Sequence, residues 1–361
     1  MEEKDFILPD YDFSRKSGKV SWKAPSNIAI VKYWGKKGNQ IPANPSLSFT
    51  LDTSATTTSV EFELQEEKRD RFSYDLFFDG KPNQDFRPKI DDFFARIEEY
   101  LPFLKSFHLK IDTANSFPHS SGIASSASGF AALSLCLTEM ESQLCNSTSQ
   151  DFFLSKASFL ARLGSGSAAR SIQGPLMHWG YHSGTKASSD LYAIPYPNEI
   201  HPVFLDYQDV ILLVDRSAKA VSSTQGHDLM KGHLYADSRF EQAHSNLEKL
   251  NSVFKKGDLS NFITIMESEA LSLHAMMMTS IPYYLLMKPN TVAIIEKVWE
   301  YRSATGVPLG FTLDAGANVH LLFPGNKREE VYSFIQSDLI QYCDQGAMLK
   351  DRVGLGGVRL S

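Results

Sequence analysis

The sequence predicts a two-lobed α+β protein. Three observations carry that expectation. At 361 residues the chain is too long for one ordinary core and short for three. Its first half alternates strand-like with helix-like text. A polar stretch over 183–202, broken by Pro195, Pro197 and Pro202, then precedes a second set of elements. The boundary is placed there, giving lobes of 1–205 and 206–361.

Residues 20–34, rich in β-branched and aromatic side chains, and residues 46–64, alternating hydroxyl and apolar groups, are expected as strands. Over 90–100 the positions Ile90, Phe93, Phe94 and Ile97 have helical spacing, and 107–111 is a further short strand. A Ser/Gly-rich loop, 119–125, opens into a helix over 127–140 with Phe130, Leu133 and Leu137 on one face. Ser149 is a natural N-cap for another helix ending at Gly164, since glycine is preferred just past a helix end. Beyond the boundary, the continuous apolar run 210–214 suits a buried strand, and two helices meet at Lys256-Gly257-Asp258. Asn290 is expected to cap a third helix that closes at Gly306. Strands over 311–314 and 319–323, joined by Ala315-Gly316-Ala317-Asn318, would leave Asp314 at a strand end.

Composition removes several classes of function. A net charge of −6, with basic runs no longer than pairs such as Lys36-Lys37 and Lys255-Lys256, argues against general nucleic-acid binding. Residues 1–11 carry four acidic groups and no extended apolar run, unlike a secretory signal. No stretch of about eighteen apolar residues offers a membrane helix. Cys136, Cys145 and Cys343 are odd in number and lack metal-type spacing, which fits a reducing, cytoplasmic setting. The histidines are scattered, His227 and His233 being six apart, so a protein-built zinc site is not expected.

Four constellations carry chemistry. Ser120 to Ser128, with Gly122 and Ala124 inside it, sits where a helix begins, and free N–H groups there with the dipole's positive end favour phosphate. No Gly-Lys-Ser/Thr follows, so this is not a Walker loop. In Gly164-Ser165-Gly166-Ser167-Ala168-Ala169-Arg170, a helical turn from Ser167 would put Arg170 on the same face, with a fork suited to carboxylate or phosphate. Lys32-Tyr33-Trp34-Gly35-Lys36 places two ammonium groups after an apolar strand. Asp314-Ala315-Gly316 offers a carboxylate. Each alone also reads as a capped turn or a solvated surface. Together they supply what phosphoryl transfer needs: a cradle, charge neutralisation and a group beside the attacking hydroxyl.

The same residues carry a resemblance. It runs through Ala24-Pro25-Ser26-Asn27-Ile28-Ala29, Lys32 to Lys36, Pro45-Ser46-Leu47-Ser48, Phe117-Pro118 and Gly122 to Ala127. It continues through Gly164-Ser165-Gly166-Ser167 with Arg170-Ser171, Val221 to Gly226, His274-Ala275 and Asp314-Ala315-Gly316. Over about residues 20 to 320 the chain resembles the superfamily of galactokinase, homoserine kinase, mevalonate kinase and phosphomevalonate kinase, and within it the mevalonate diphosphate decarboxylase family. Its departures are the polar Pro118-His119-Ser120-Ser121-Gly122, Ala317 in place of a usual proline, and Gln173 in place of a bulky apolar residue.

The resemblance implies an N-terminal lobe with a mixed sheet, a ferredoxin-like C-terminal lobe, an active site between them, ATP with Mg²⁺, and a homodimer. It implies phosphorylation of the tertiary 3-hydroxyl of mevalonate 5-diphosphate, then loss of phosphate and CO₂ to give isopentenyl diphosphate. Asp314 would act at the hydroxyl as base or orienting carboxylate, Arg170 would hold the substrate carboxylate, and Lys32 would stabilise charge around the hydroxyl and Asp314. Tyr33, Lys36 and Ser223 would bind the diphosphate, Asn27 would support the polar site, and Ser165 and Ser167 would lie beside the substrate. Ser120, Ser121, Gly122, Ala124, Ser125, Ser126 and Ser128 would cradle ATP. Alternatives are a decarboxylase of mevalonate 5-phosphate, a mevalonate 3-kinase and, in another class, a non-catalytic metabolite sensor. Retention of Lys32, Arg170 and Asp314 together argues for decarboxylation.

Overall fold

Two long antiparallel strands, β1 (Ser17–Val31) and β2 (Ser46–Leu64), form the spine of the N-terminal half. The outer part of β2 buries Val60 and Phe62 while Glu61 and Glu63 face outward, the period-two pattern of a half-buried strand. The β1–β2 register runs from Ser17 opposite Glu63 to Pro25 opposite Ala55, then shifts before Asn27 meets Thr50. Pro25 lies at this irregularity, where the ladder loses least from its missing donor. The computed structural model describes residues 1–67, 70–117, 125–145, 149–217, 221 and 223–360, with the backbone alone at 223 and 224.

Beside β2 lies β4 (Phe107–Asn115), and beyond it β3 (Ser73–Phe78), which runs parallel to β4 and makes the sheet mixed. A short strand, β5 (Leu176–Trp179), pairs with the start of β2. Three helices cover one face: α1 (Arg87–Ile97), α2 (Ser125–Ser142) and α3 (Gln150–Gly164). Val20, Val60 and Phe62 of the sheet share a core with Phe93, Leu137 and Phe159 of these helices.

The second sheet contains β6 (Tyr207–Leu212), β7 (Gly310–Leu313), β8 (Val319–Pro324) and β9 (Met348–Arg352), antiparallel in the order β7-β8-β6-β9. The expected mixed sheet and antiparallel C-terminal sheet are therefore both present. Alternate residues of β6 enter two cores. Ile211 joins Ile28 and Phe49 of the first sheet together with Phe254 and Phe262. Val210 and Leu212 join Phe311 and Leu321 on the opposite side. Burial on both faces explains why the sequence from Val210 to Leu213 reads as an unbroken apolar run. A final strand, β10 (Val358–Arg359), returns to pair with β1.

The predicted helical turn at Gly257 is present, with φ of 70° at the end of Ala236–Lys256 and Asp258 capping Leu259–Thr279. Ser149 also caps as expected, its side chain accepting from Phe152 N. Two expectations are corrected. Gly164 is the last helical residue of α3 and not a left-handed stop; a Cβ there would come within 2.3 Å of Phe130, so close packing demands the glycine. The helix Pro289–Thr305 is preceded by Lys288 as its N-cap, with Pro289 opening the first turn and Asn290 inside it.

The core holding Phe254 joins residues of both sheets, so Phe254→Ala is expected to cost about 3–5 kcal/mol of unfolding free energy. Denaturant unfolding checks this, and a loss below about 1 kcal/mol would contradict a shared core.

Candidate active site

The end of β1 delivers the first functional group. After a register shift between Ala29 and Val31 the strand stops, and Lys32 follows with its side chain 2% exposed. Its main chain is fixed on both sides. Glu269 accepts Lys32 N–H at 2.9 Å, while Asn44 Nδ2 and Arg239 Nη2 donate to Lys32 O at 2.8 and 3.2 Å. Glu269 is itself buried and receives Arg239 and Asn246. A carboxylate so placed is neutralised by a guanidinium and satisfied by donors, as a buried charge requires.

Asp314 arrives from the turn after β7, and Lys32 Nζ donates to its Oδ1 at 3.0 Å. His274 Nε2 lies 3.1 Å from the Asp314 carbonyl oxygen and ties that turn to the helix Leu259–Thr279. Burial lowers the Lys32 ammonium from its ordinary value of 10.5, with Asp314 opposing the shift and Arg170 adding to it.

Arg170 lies in a short 3₁₀ turn, Gly166–Ser171, and is buried. One arm of its guanidinium donates to Ser46 Oγ, and the group sits 5.6 Å from the centre of the Trp179 ring. Its Nε has no partner among the described residues. Burial pulls its pKa down to about 10, against the attraction of Asp314, so it stays charged at neutral pH. Tyr33 stands against the same turn, and its hydroxyl also lacks a protein partner there. A Cβ at Gly166 would fall 2.7 Å from that hydroxyl, which is why this position must be small.

These groups converge on one cleft of about 370 Å³, lined by Asn27, Lys32, Tyr33, Lys36, Ser165, Ser167, Arg170 and Asp314 from the expected set. Ser126, at the start of α2, also faces it, and Ser126 Oγ lies 3.5 Å from Ser165 Oγ. Asn27 Nδ2 donates to Ser167 O and Ser171 Oγ at 3.1 and 2.8 Å, bracing the turn that carries Arg170. An adjoining apolar cavity of about 110 Å³ is lined by Thr58, Leu76, Phe78, Ile111, Ser125 and Ser126, among others. Ser128 turns elsewhere, bonding Thr56 Oγ1 at 2.6 Å. Ser120, Ser121, Gly122 and Ala124 lie outside the described residues, as does the side chain of Ser223, whose backbone opens the helix Ser223–Asp228.

Sequence reasoning missed Glu269, Arg239 and Asn44, which hold Lys32 from behind, and His227, which lines the cleft. Glu269 and Arg239 leave no local signal, since Lys32 lies more than two hundred positions away, and Asn44 reaches Lys32 O only because the chain turns back between them. His178 and His182 are spaced four apart, a pattern the sequence reading passed over. Nε2 of His178 lies 2.7 Å from Gly180 O and Nδ1 of His182 lies 3.1 Å from Thr185 Oγ1, so both rings are engaged in local structure.

Known families and solved structures match the chain over most of its length. A model described as the diphosphomevalonate decarboxylase-like N-terminal domain matches residues 24–193, and one for the mevalonate 5-diphosphate decarboxylase C-terminal domain matches 209–353. The diphosphomevalonate decarboxylase of Ganoderma lucidum is 30% identical over 358 residues, covering 92% of this chain and 84% of the relative. The chain belongs to the diphosphomevalonate decarboxylase family. Within the wider family a phosphomevalonate decarboxylase of Haloferax volcanii is 27% identical, covering 84% of this chain and 87% of its own. Among solved structures, mevalonate diphosphate decarboxylase from Staphylococcus aureus superposes with a TM-score of 0.80 at 26% identity, covering 96% of this chain and 98% of its own. MDDEF in complex with MVAPP, AMPPCP and magnesium has the same TM-score of 0.80 at 25% identity, covering 95% and 99%.

As pH rises through the lowered pKa of Lys32, its ion pair with Asp314 is lost, and activity that depends on that pair should fall with it. The alkaline limb of the kcat profile is expected below pH 10.5, the ordinary lysine value, and should move upward in Lys32→Arg. A limb unchanged by that substitution would remove Lys32 from the titration.

Proposed function

We propose that the chain converts mevalonate 5-diphosphate and ATP into isopentenyl diphosphate, CO₂, ADP and phosphate. The observation that carries this reading is the meeting of Lys32, Arg170 and Asp314 in one cleft beside the first turn of α2. Asp314 is offered to the substrate's 3-hydroxyl, held in place by Lys32, and would orient that oxygen or take its proton as the γ-phosphoryl group is transferred. Arg170 has a rigid fork suited to the substrate carboxylate, and its fixed charge would align the C–C bond that breaks. When the 3-phosphate leaves, the electrons of that bond form the new double bond and CO₂ departs. Tyr33 and Lys36 would take the diphosphate, with Ser223, while Asn27, Ser165 and Ser167 maintain the wall between the two ends.

The apolar cavity beside Ser125 and Ser126 would take a nucleotide base, and the start of α2 would lie toward its phosphates. Among the described residues no cluster of three or more His, Cys, Asp or Glu groups could hold an ion alone, so Mg²⁺ is assigned to the ATP phosphates, whose charge it would neutralise. The reading extends to two lobes, 1–205 and 206–361, a cytoplasmic setting consistent with the free Cys136, Cys145 and Cys343, and a homodimer. Exposed Leu234, Ile281, Tyr283 and Leu285 give a second copy apolar surface to cover.

Purified protein with Mg²⁺-ATP should release one CO₂ per ADP from mevalonate 5-diphosphate and do so less efficiently from mevalonate 5-phosphate. ADP without CO₂ would make the protein a kinase, and a preference for the monophosphate would transfer it to the other decarboxylase reading. Sedimentation at micromolar concentration should give twice the mass of one chain; a single-chain mass would remove the dimer.

A further inference from the structure

His227 faces the cleft but has no part in the mechanism above. It lies in the helix Ser223–Asp228 and is 6% exposed, its imidazole packed against two aromatic rings. The ring centres of Tyr33 and Trp34 are 4.3 and 4.5 Å away. Gly35 N–H donates to His227 Nδ1 at 2.9 Å. A nitrogen that accepts a hydrogen bond carries no proton, so the neutral ring must carry its hydrogen on Nε2. Burial, reinforced by the positive charges of Lys36 and Arg170, holds the pKa well below the ordinary 6.5 and keeps the ring neutral. No protein group among the described residues accepts from Nε2, and the residue lines the cleft wall.

We propose that His227 is a substrate-binding residue whose Nε2–H donates to a phosphate oxygen at the 5-end of the substrate, beside Lys36 and Tyr33. The inference rests on the decarboxylase reading for the identity of that substrate. The physical logic is local. Tyr33, Trp34 and Gly35 belong to the same segment as Lys36, so one stretch of chain fixes both a cation and the orientation of a neutral donor. The neutral donor adds direction where a second cation would add only charge, and it needs no proton exchange to work at neutral pH. Tilted contacts with the Tyr33 and Trp34 rings restrict the imidazole, and the Gly35 bond sets its tautomer.

The test compares His227→Met, which keeps bulk but loses the donor, with His227→Gln, which restores an N–H donor of similar reach. With mevalonate 5-diphosphate, His227→Met should raise KM roughly ten- to a hundredfold, the size of one hydrogen bond to a charged group, with kcat within about threefold. His227→Gln should recover most of that loss. An unchanged KM in His227→Met, or a loss confined to kcat, would overturn the proposal. A second measurement survives even if both variants fail to fold. In wild-type protein with ¹⁵N-labelled histidine, the His227 resonances should report the Nε2–H tautomer, and inorganic pyrophosphate should shift the Nε2 signal. The Nδ1–H tautomer, or no shift at saturating pyrophosphate, would overturn it. Because pyrophosphate binding does not require turnover, a wild-type protein that shifts but does not decarboxylate would defeat the reading of function and leave the role of His227 standing.

Discussion

A lysine ammonium that is 2% exposed must be met by negative charge, and here the partner comes from a turn 282 positions further along the chain. Removing two charges from water costs several kcal/mol each unless geometry and further hydrogen bonds compensate. The fold answers that demand in layers. Asp314 faces the ammonium directly, while Glu269 behind it binds the Lys32 main chain and is balanced by Arg239 and Asn246. The two sheets are thereby locked to one another at the place where chemistry is expected, and the shared aromatic core around Phe49, Phe254 and Phe262 holds them from the other side.

The rest of the site follows from this anchor. Once Lys32 is fixed, the chain after it has little freedom: Gly35 bonds His227, Trp34 N–H donates to Asn44, and Tyr33 abuts Gly166. That contact reaches the turn carrying Arg170, which Asn27 supports through Ser167 and Ser171. Carboxylate, guanidinium and ammonium are thus set by three different segments, each braced by further groups: His274 at the Asp314 carbonyl, Asn27 at the Arg170 turn and Glu269 at the Lys32 main chain. Such preorganisation is what stabilises a developing charge without rearrangement during the reaction.

Much of this was legible in the letters. The alternation over 46–64 gave a strand of the same span, the Gly257 turn carried its left-handed signature, and the aspartate expected at a strand end stands one residue past it. The Gly164–Ser167 turn and the two lysines stood out by residue type, and the structure brings Ser165, Ser167, Lys32 and Lys36 to one cleft. What could not be read depends on distant partners. Glu269 is one acidic position within a helix, and only its 2.9 Å contact with Lys32 N shows its purpose. Gly164 looked like a helix stop, but the ring of Phe130 explains it. His227 looks isolated in the sequence, yet it packs against Tyr33 and Trp34, almost two hundred positions away.

The central claim is that Lys32 and Asp314 act as one unit, and a double-mutant cycle on turnover tests it most directly. If they are coupled, Lys32→Met and Asp314→Asn together should cost little more than the worse single change, each single change costing about 10² to 10³ in kcat. Losses that multiply in the double variant would show two independent groups and contradict the account.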